Sequence, residues 1–225
     1  LRFHSNYFFL GPFGVFARAV MGVKLSFIHR ERLDACRPAV FLGNHQSGSD
    51  LGIMGTACPE RSVIVAKKEI QNIPIFGWFF KIAGNLMIDR KKTFEAKTQM
   101  EEIRETMKRR DLNLVIFPEG TRSKTQTFLP FKKGAFHLAI ATGYPVVPVI
   151  CSSLKGKAVW ETFDLKGGHV IISVLNPIET KDLGVRDLDQ FKDRVRNIML
   201  AEFERINLLA ASYDSNPELA KQART

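Results

Sequence analysis

Cysteine is scarce: Cys36, Cys58 and Cys151 are an odd number without the paired spacing of metal ligands. That excludes a disulfide framework and a zinc site as the basis of the fold, and it fits a reducing compartment. Internal repeats and low-complexity linkers are absent, as is a G-x-S-x-G nucleophile elbow. No apolar run reaches the roughly 20 residues a spanning helix needs. The nearest approach, YFFLGPFGVFARAVMGV from Tyr7 to Val23, is broken by Arg18 and by Gly11, Pro12 and Gly14. It reads either as an interfacial segment or as a core helix at the domain edge. Leu1 stands first instead of Met, so the expectation is a natural start upstream, where any signal or anchor would lie. Acidic residues are outnumbered, 23 against 33 basic ones, giving a formal net charge of +10. The partner is therefore expected to be anionic: nucleic acid, a membrane surface or a phosphorylated substrate. No nucleic-acid-binding module accompanies the charge, so nucleic acid is not an expected partner.

What is present is enough for a folded domain. Across 225 residues the composition is 45% hydrophobic, with eighteen Phe, many of them near the N-terminus and beside basic residues. This suits a single domain that meets lipid. Compact apolar runs at Ala39–Leu42, Ser62–Ala66, Leu86–Ile88, Leu112–Phe117, Val146–Ile150 and Val170–Val174 predict strands. Between Thr93 and Arg109, Ala96, Met100, Ile103 and Met107 fall on one helical face. A longer amphipathic helix is predicted by Leu188, Phe191, Val195, Ile198, Phe203 and Ile206. The alternation predicts an α/β fold whose central sheet is mostly parallel or mixed and flanked by helices. Three parts are expected: an apolar interfacial segment over 1–30, a catalytic domain over 31–209, and a tail over 210–225 in which the pattern dissolves.

Four blocks carry chemistry. In NHQSGSD, His45 and Asp50 are five residues apart, and on one continuous helix they would point about 140° away from each other. They meet only if His45 lies in a loop and Asp50 at a helix start. The carboxylate would then fix the imidazole tautomer and leave the second nitrogen as a base; alternatively Asp50 only caps a helix. The second block, FPEGTRS, follows a strand and offers Gly120 for close approach, Arg122 as a phosphate fork, and the hydroxyls of Thr121 and Ser123. The third, GNLMIDR, places Arg90 at another strand end with Lys91 and Lys92 behind it. These are either a shared phosphate contact or a solvated charge run, and Asp89 is an alternative partner for Arg122. In the fourth, YPVVPV, Pro148 cannot donate to a ladder and belongs at an edge, bulge or strand start, as the wall of an acyl groove or as an ordinary edge strand. His4, His29, His137 and His169 lack a carboxylate at a telling spacing and are read as structural or exposed.

In order and spacing, the four blocks resemble the glycerolipid acyltransferase family, and within it the 1-acylglycerol-3-phosphate O-acyltransferases. The resemblance runs from about Ala39 to Pro148 and takes in AKKEI, PIFGWFF and LPFKKGAFHLA. It implies a glycerol-3-phosphate acyltransferase-like fold, with His45 as general base, Asp50 as its orienting carboxylate, and Glu119, Gly120, Thr121 and Arg122 in the acyl-acceptor site. Arg90 would lie near the phosphate. Met87 replaces the family's frequent Phe and stays apolar, whereas the membrane-spanning segment that many relatives carry before the first motif is expected to be missing or truncated in this sequence.

The reaction implied is transfer of an acyl group from acyl-CoA or acyl carrier protein to the sn-2 hydroxyl of lysophosphatidic acid, giving phosphatidic acid. No tightly bound cofactor and no metal is expected. Backbone N–H groups near the helix start after His45, and Lys67, are candidate donors to the carbonyl oxygen. Alternatives are another lysophospholipid or glycerol-3-phosphate as acceptor, or a catalytically silent protein that binds anionic lipid. The implied location is a membrane lipid surface on its cytoplasmic face, the bacterial inner membrane in preference to the endoplasmic reticulum.

Overall fold

The computed structural model describes residues 5–72, 76–88, 93–123 and 127–222. Its centre is a seven-stranded sheet in the order β1-β7-β6-β2-β5-β3-β4. The strands are β1 (Val23–Ile28), β2 (Val40–Gly43), β3 (Ser62–Lys67), β4 (Leu86–Ile88), β5 (Asn113–Ile116), β6 (Val146–Cys151) and β7 (Gly168–Val174). Pairing is parallel everywhere except between β6 and β7. The sheet is thus mixed, with five strands running one way and β1 and β7 the other. Every residue of β2 and β6 is buried, as expected where helices cover both faces of parallel strands.

The six predicted strands are present. β1 is an addition: VKLSFI pairs with β7 from Val23↔Gly168 to Ile28↔Ser173, so the boundary expected at residue 30 falls after a strand of the sheet. The helices are α1 (Ser5–Val20), α2 (Arg32–Ala35), α3 (Asp50–Ile53), α4 (Phe76–Ile82), α5 (Thr93–Arg110), α6 (Gly134–Thr142), α7 (Leu188–Ser215) and α8 (Pro217–Gln222). One core joins Ile103 and Met107 of α5, Phe136 and Leu138 of α6, and the α7 stripe Phe191, Val195, Met199, Phe203 and Ile206 to one sheet face. A second core on the opposite face gathers Met21, Leu33, Phe41, Ile53, Val147 and Val170. The tail expected after Leu209 is helical instead. Ala210, Tyr213 and Ala220 are buried, so packing holds α7 and α8 where local pattern is weak.

The N-terminal segment divides by face. Asn6, Leu10 and Gly14 turn inward, whereas Phe8 (64% exposed), Phe9, Phe13, Phe16 (68%) and Val20 turn outward. α1 lies so close to α3 that a Cβ on Gly14 would come within 2.3 Å of the Gly52 carbonyl oxygen. A buried amide pair anchors its start. Asn6 Nδ2 donates to the Ser62 carbonyl (2.9 Å), and Asn85 Nδ2 donates to Asn6 Oδ1 (2.9 Å) while Asn85 Oδ1 accepts the Ile64 N–H (2.9 Å). Among the described residues no helix is long and apolar enough to cross a membrane.

Candidate active site

Parallel pairing brings the C-terminal ends of β2, β5 and β6 to one edge of the sheet, where ligands collect in open α/β folds. β2 ends at Gly43, and the chain then turns into α3. Asn44 fixes this turn by donating from Nδ2 to the Cys151 carbonyl (2.9 Å) and accepting the Cys151 N–H at Oδ1 (2.8 Å). Gln46 does the same one step further, donating to Ser152 O (3.0 Å) and accepting from Leu154 N (3.2 Å). Two amide side chains thereby extend the β2–β6 ladder past its backbone end. Neither stands out in the sequence, where an Asn and a Gln in a loop carry no periodic signal.

Held in this way, His45 and Asp50 meet as the loop-to-helix reading requires. Asp50 opens α3 and is 1% exposed. Its Oδ2 accepts from His45 Nδ1 at 2.6 Å, from Gln46 N at 2.7 Å and from Ser47 N at 3.1 Å. With Nδ1 engaged, Nε2 is the nitrogen left for chemistry. The His45 side chain keeps a quarter of its surface and stacks on Phe117 with ring centroids 4.4 Å apart. A second pair, His169 Nδ1 and Asp214 Oδ1 at 3.2 Å, has similar composition but a 5% exposed imidazole. Lys157 closes it by pairing with Asp214 at 2.8 Å and donating to the His169 carbonyl at 2.6 Å. Accessibility therefore separates the two: of these, His45 offers its ring to a cavity and His169 does not.

FPEGTRS splits between inside and outside. Gly120 takes a left-handed φ of +73°, the turn a residue without Cβ adopts at least cost. Glu119 is 2% exposed, with Oε1 accepting His45 N (2.9 Å) and Oε2 accepting Leu129 N (3.0 Å). Burial pushes its carboxyl above the ordinary value, partly offset by those two N–H donors. Ser123 is 1% exposed; its N–H donates to His45 O (2.9 Å) and its Oγ accepts Thr127 N (3.1 Å). Both contacts turn Ser123 into the protein. Glu119 Oε1 and the Ser123 N–H thereby brace the His45 backbone from behind, and neither residue lines the cavity. Gly120, Thr121 and Arg122 face the other way and line the cavity.

That cavity has a volume of about 590 Å³ and is lined by His45, Ser47, Gly48 and Arg122 together with apolar residues such as Leu10, Met54, Ile64 and Phe80. Pro148 is buried inside β6 and lies outside this lining. Its carbonyl accepts Leu175 N at 2.9 Å, so its missing N–H falls on the β7 side, beyond the Val149↔Val174 end of that ladder. Phe41, Val115 and Val149 line the cavity instead. Cys58 also lines the cavity, but burial pushes its thiol up to about 12, which removes it as a thiolate nucleophile. Arg90 lies outside the described residues, as do Asp89, Lys91 and Lys92; Lys67 ends β3, and its side chain also lies outside them.

The loop's own N–H groups do not serve as the expected oxyanion donors. Those of Gln46 and Ser47 go to Asp50, that of Gly48 to Glu161 Oε1 (2.7 Å), and that of Ser49 to Ser47 Oγ (3.2 Å). Asp50 N and Leu51 N donate to Ser47 O and Gly48 O. Glu161, more than a hundred residues downstream, is the site residue that sequence reasoning missed. It also accepts from Ser47 Oγ (2.6 Å) and pairs with Arg122 Nη1 (2.5 Å). Burial alone would raise its carboxyl; the Ser47 and Gly48 hydrogen bonds and the Arg122 charge hold it below the ordinary value.

Comparison with known proteins shows which family the chain resembles. A family model described as Acyltransferase matches residues 24–152. The 1-acyl-sn-glycerol-3-phosphate acyltransferase of Haemophilus influenzae is 36% identical over 170 residues, covering 74% of this chain and 70% of the relative. The Saccharomyces cerevisiae protein of that name is 34% identical over 200 residues, covering 88% and 66%. The human alpha form is 35% identical over 186 residues, covering 83% and 66%. This chain spans about two thirds of the length of these curated relatives. The crystal structure of the 1-acyl-sn-glycerophosphate acyltransferase from Thermotoga maritima shares the fold, with a TM-score of 0.75 at 22% identity, covering 89% of this chain and 79% of that one. The matched region begins in β1, ends just past β6 and contains every strand that delivers His45, Asp50 and Arg122 to the cavity, and on that match the chain belongs to the acyltransferase family.

Proposed function

We propose that the chain is a 1-acyl-sn-glycerol-3-phosphate O-acyltransferase, which moves an acyl group from a thioester to the sn-2 hydroxyl of lysophosphatidic acid. The observation that carries this reading is the 2.6 Å His45–Asp50 contact beside a cavity that Arg122 lines together with many apolar side chains. The relatives' names point to the same reaction.

In this mechanism His45 Nε2 takes the proton of the acceptor hydroxyl as its oxygen attacks the thioester carbonyl. Positioned base catalysis of this kind contributes about 10² to 10⁴ in rate. Asp50 holds Nδ1–H, keeps the tautomer and stabilises the imidazolium. Collapse of the tetrahedral intermediate breaks the C–S bond, and the thiolate leaves and takes up the proton. No covalent acyl-enzyme is needed. Arg122 pairs with the acceptor's phosphate, for which a planar fork of donors is well shaped. The apolar lining accommodates acyl chain, the cavity volume lying within the range of about 300 to 1,000 Å³ usual for ligand cavities. The donor is acyl-CoA or acyl carrier protein. The outward aromatic face of α1 supports contact with a membrane lipid surface, at the cytoplasmic side where thioester donors are found.

The test is to incubate purified protein with acyl-CoA or acyl carrier protein and lysophosphatidic acid, then measure thiol release and phosphatidic acid by mass spectrometry. Phosphatidic acid is expected from the native protein and not from His45→Ala. A native protein that makes none with either donor, or that prefers glycerol-3-phosphate or another lysophospholipid, overturns the assignment.

A further inference from the structure

We infer that Glu161 is an intramolecular stand-in for the acceptor's phosphate: it occupies Arg122, the Gly48 N–H and the Ser47 hydroxyl, and the phosphate displaces it on binding. This rests on the reading of Arg122 as the phosphate ligand. The geometry supplies the rest. One carboxylate collects three convergent donors, at 2.5 Å from Arg122, 2.7 Å from Gly48 and 2.6 Å from Ser47. A guanidinium, a backbone N–H and a hydroxyl together make a set that suits a phosphate monoester as well as a carboxylate. All three donor residues line the cavity that His45 also lines, so an anion bound there is held beside the base.

Glu161 can leave because its own segment is lightly held. It sits in a short turn, Trp160–Thr162, closed by hydrogen bonds between Val159 and Asp164 at 2.9 and 3.1 Å. Besides Glu161 itself, the bond from Trp160 N to Ser49 Oγ at 3.2 Å ties this turn to the His45 loop. Trp160 is 53% and Phe163 76% exposed, and Phe163 holds a left-handed φ of +52°, an unusual conformation for a bulky residue. The Arg122–Glu161 pair is itself half in solvent, with side chains 53% and 39% exposed. Exchange of one anion for another at such a pair costs little.

Glu161 is therefore a positioning residue that sets acceptor affinity. It keeps the His45 loop ordered while the site is empty and competes with the phosphate for Arg122. A neutral acceptor offers no group to replace it, so its release is selective for phosphorylated acceptors.

The experiment compares native protein with Glu161→Gln, Arg122→Ala and the double variant, all on lysophosphatidic acid, with inorganic phosphate as a competing anion. Glu161→Gln keeps one oxygen for the Gly48 N–H and turns an amide N–H₂ toward the Ser47 hydroxyl, which can accept from it, but drops the charge on Arg122. Its KM for lysophosphatidic acid should fall about two- to fivefold, the range an exposed ion pair commands. Inhibition by inorganic phosphate should tighten in the same ratio. Both changes should vanish when Arg122→Ala is already present, because the competitor then has nothing to hold. An unchanged or raised KM in Glu161→Gln overturns the inference, and so does an equal fall in the Arg122→Ala background. If the native protein makes no phosphatidic acid, the functional assignment itself has failed, which is a separate outcome.

Discussion

Glu119 supports His45 without touching its ring: one carboxylate oxygen accepts the His45 backbone N–H at 2.9 Å while the other accepts Leu129 N at 3.0 Å. The base is thus clamped at its backbone by Glu119 and at its Nδ1 by Asp50. Substituting Glu119→Gln leaves one oxygen for two buried donors and turns an amide N–H₂ toward one of them. The cost of an unmatched buried polar group is about 1–3 kcal/mol, and the His45 loop should shift with it. Urea denaturation should show a lower midpoint, and turnover should fall with it. A variant with native midpoint and native kcat would show that the carboxylate does not brace the loop.

Asp50 acts on both the chemistry and the shape of the loop. A single oxygen receives the imidazole and two backbone N–H groups. In Asp50→Asn the amide oxygen can still accept, but the negative charge facing the imidazolium is lost. The expected fall in kcat is on the order of 10² or more, within the range for positioned base catalysis, with KM for the acceptor changed far less. Retention of native kcat at saturating substrate would remove Asp50 from the mechanism.

Much of this site is legible in the sequence, and the gaps have physical causes. His45 and Asp50 are five residues apart, so chain geometry lets them meet only across a strand-to-helix turn, with His45 in the loop and Asp50 opening α3. Glu161 is invisible because its three partners are distant in sequence and the segment around it has neither helical nor strand periodicity. Ser123 is expected as a phosphate donor from its hydroxyl and Glu119 in the acceptor site from the family resemblance, because a turn's residue types announce donors and acceptors but not which side they face. Six strands announce themselves as apolar runs. β1 does not, since Lys24 and Ser26 dilute it and its partner β7 is remote in sequence. The end of α7 is similar: Ala210 and Tyr213 are buried in the core, but the polar Ser212, Asp214 and Ser215 around Tyr213 break the pattern, and only tertiary packing reveals that they belong to a helix.

The opposite shifts of two carboxyls make a pH prediction. Glu161 is held below its ordinary value of 4.5 despite partial burial, by Ser47, Gly48 and Arg122. A depressed folded-state value means that the group's contribution to stability is present above the ordinary value and is lost as pH falls through the folded one. The stability difference between native protein and Glu161→Gln should therefore be flat from about pH 6 to pH 8 and shrink below about pH 4.5. Glu119, raised by burial, carries the reverse sign: its contribution is present below its ordinary value and lost as pH rises through its folded one. Paired urea titrations across this range separate the two. A Glu161→Gln difference that grows on acidification would contradict the assigned hydrogen bonds.

The outward face of α1 presents Phe8, Phe9, Phe13 and Phe16 beside a chain of net charge +10. Rings this exposed lose water contact only against another apolar phase, and burying each phenyl contributes about 1.5–3 kcal/mol when complete. The charge should add an attraction to anionic headgroups that salt weakens. Replacing Phe8 and Phe16 by Ser removes two rings from the surface while leaving Leu10 against Gly55 and Gly14 against α3. Co-sedimentation with phosphatidylglycerol vesicles should fall by at least about tenfold, since even partial burial of two phenyl rings exceeds the energy of one decade in affinity. Activity toward a short-chain acceptor dispersed as monomers should suffer much less than activity toward acceptor in vesicles, because Phe8 and Phe16 lie outside the cavity lining. Unchanged vesicle binding in the double variant, or equal losses with both forms of acceptor, would show that this face does not dock on lipid.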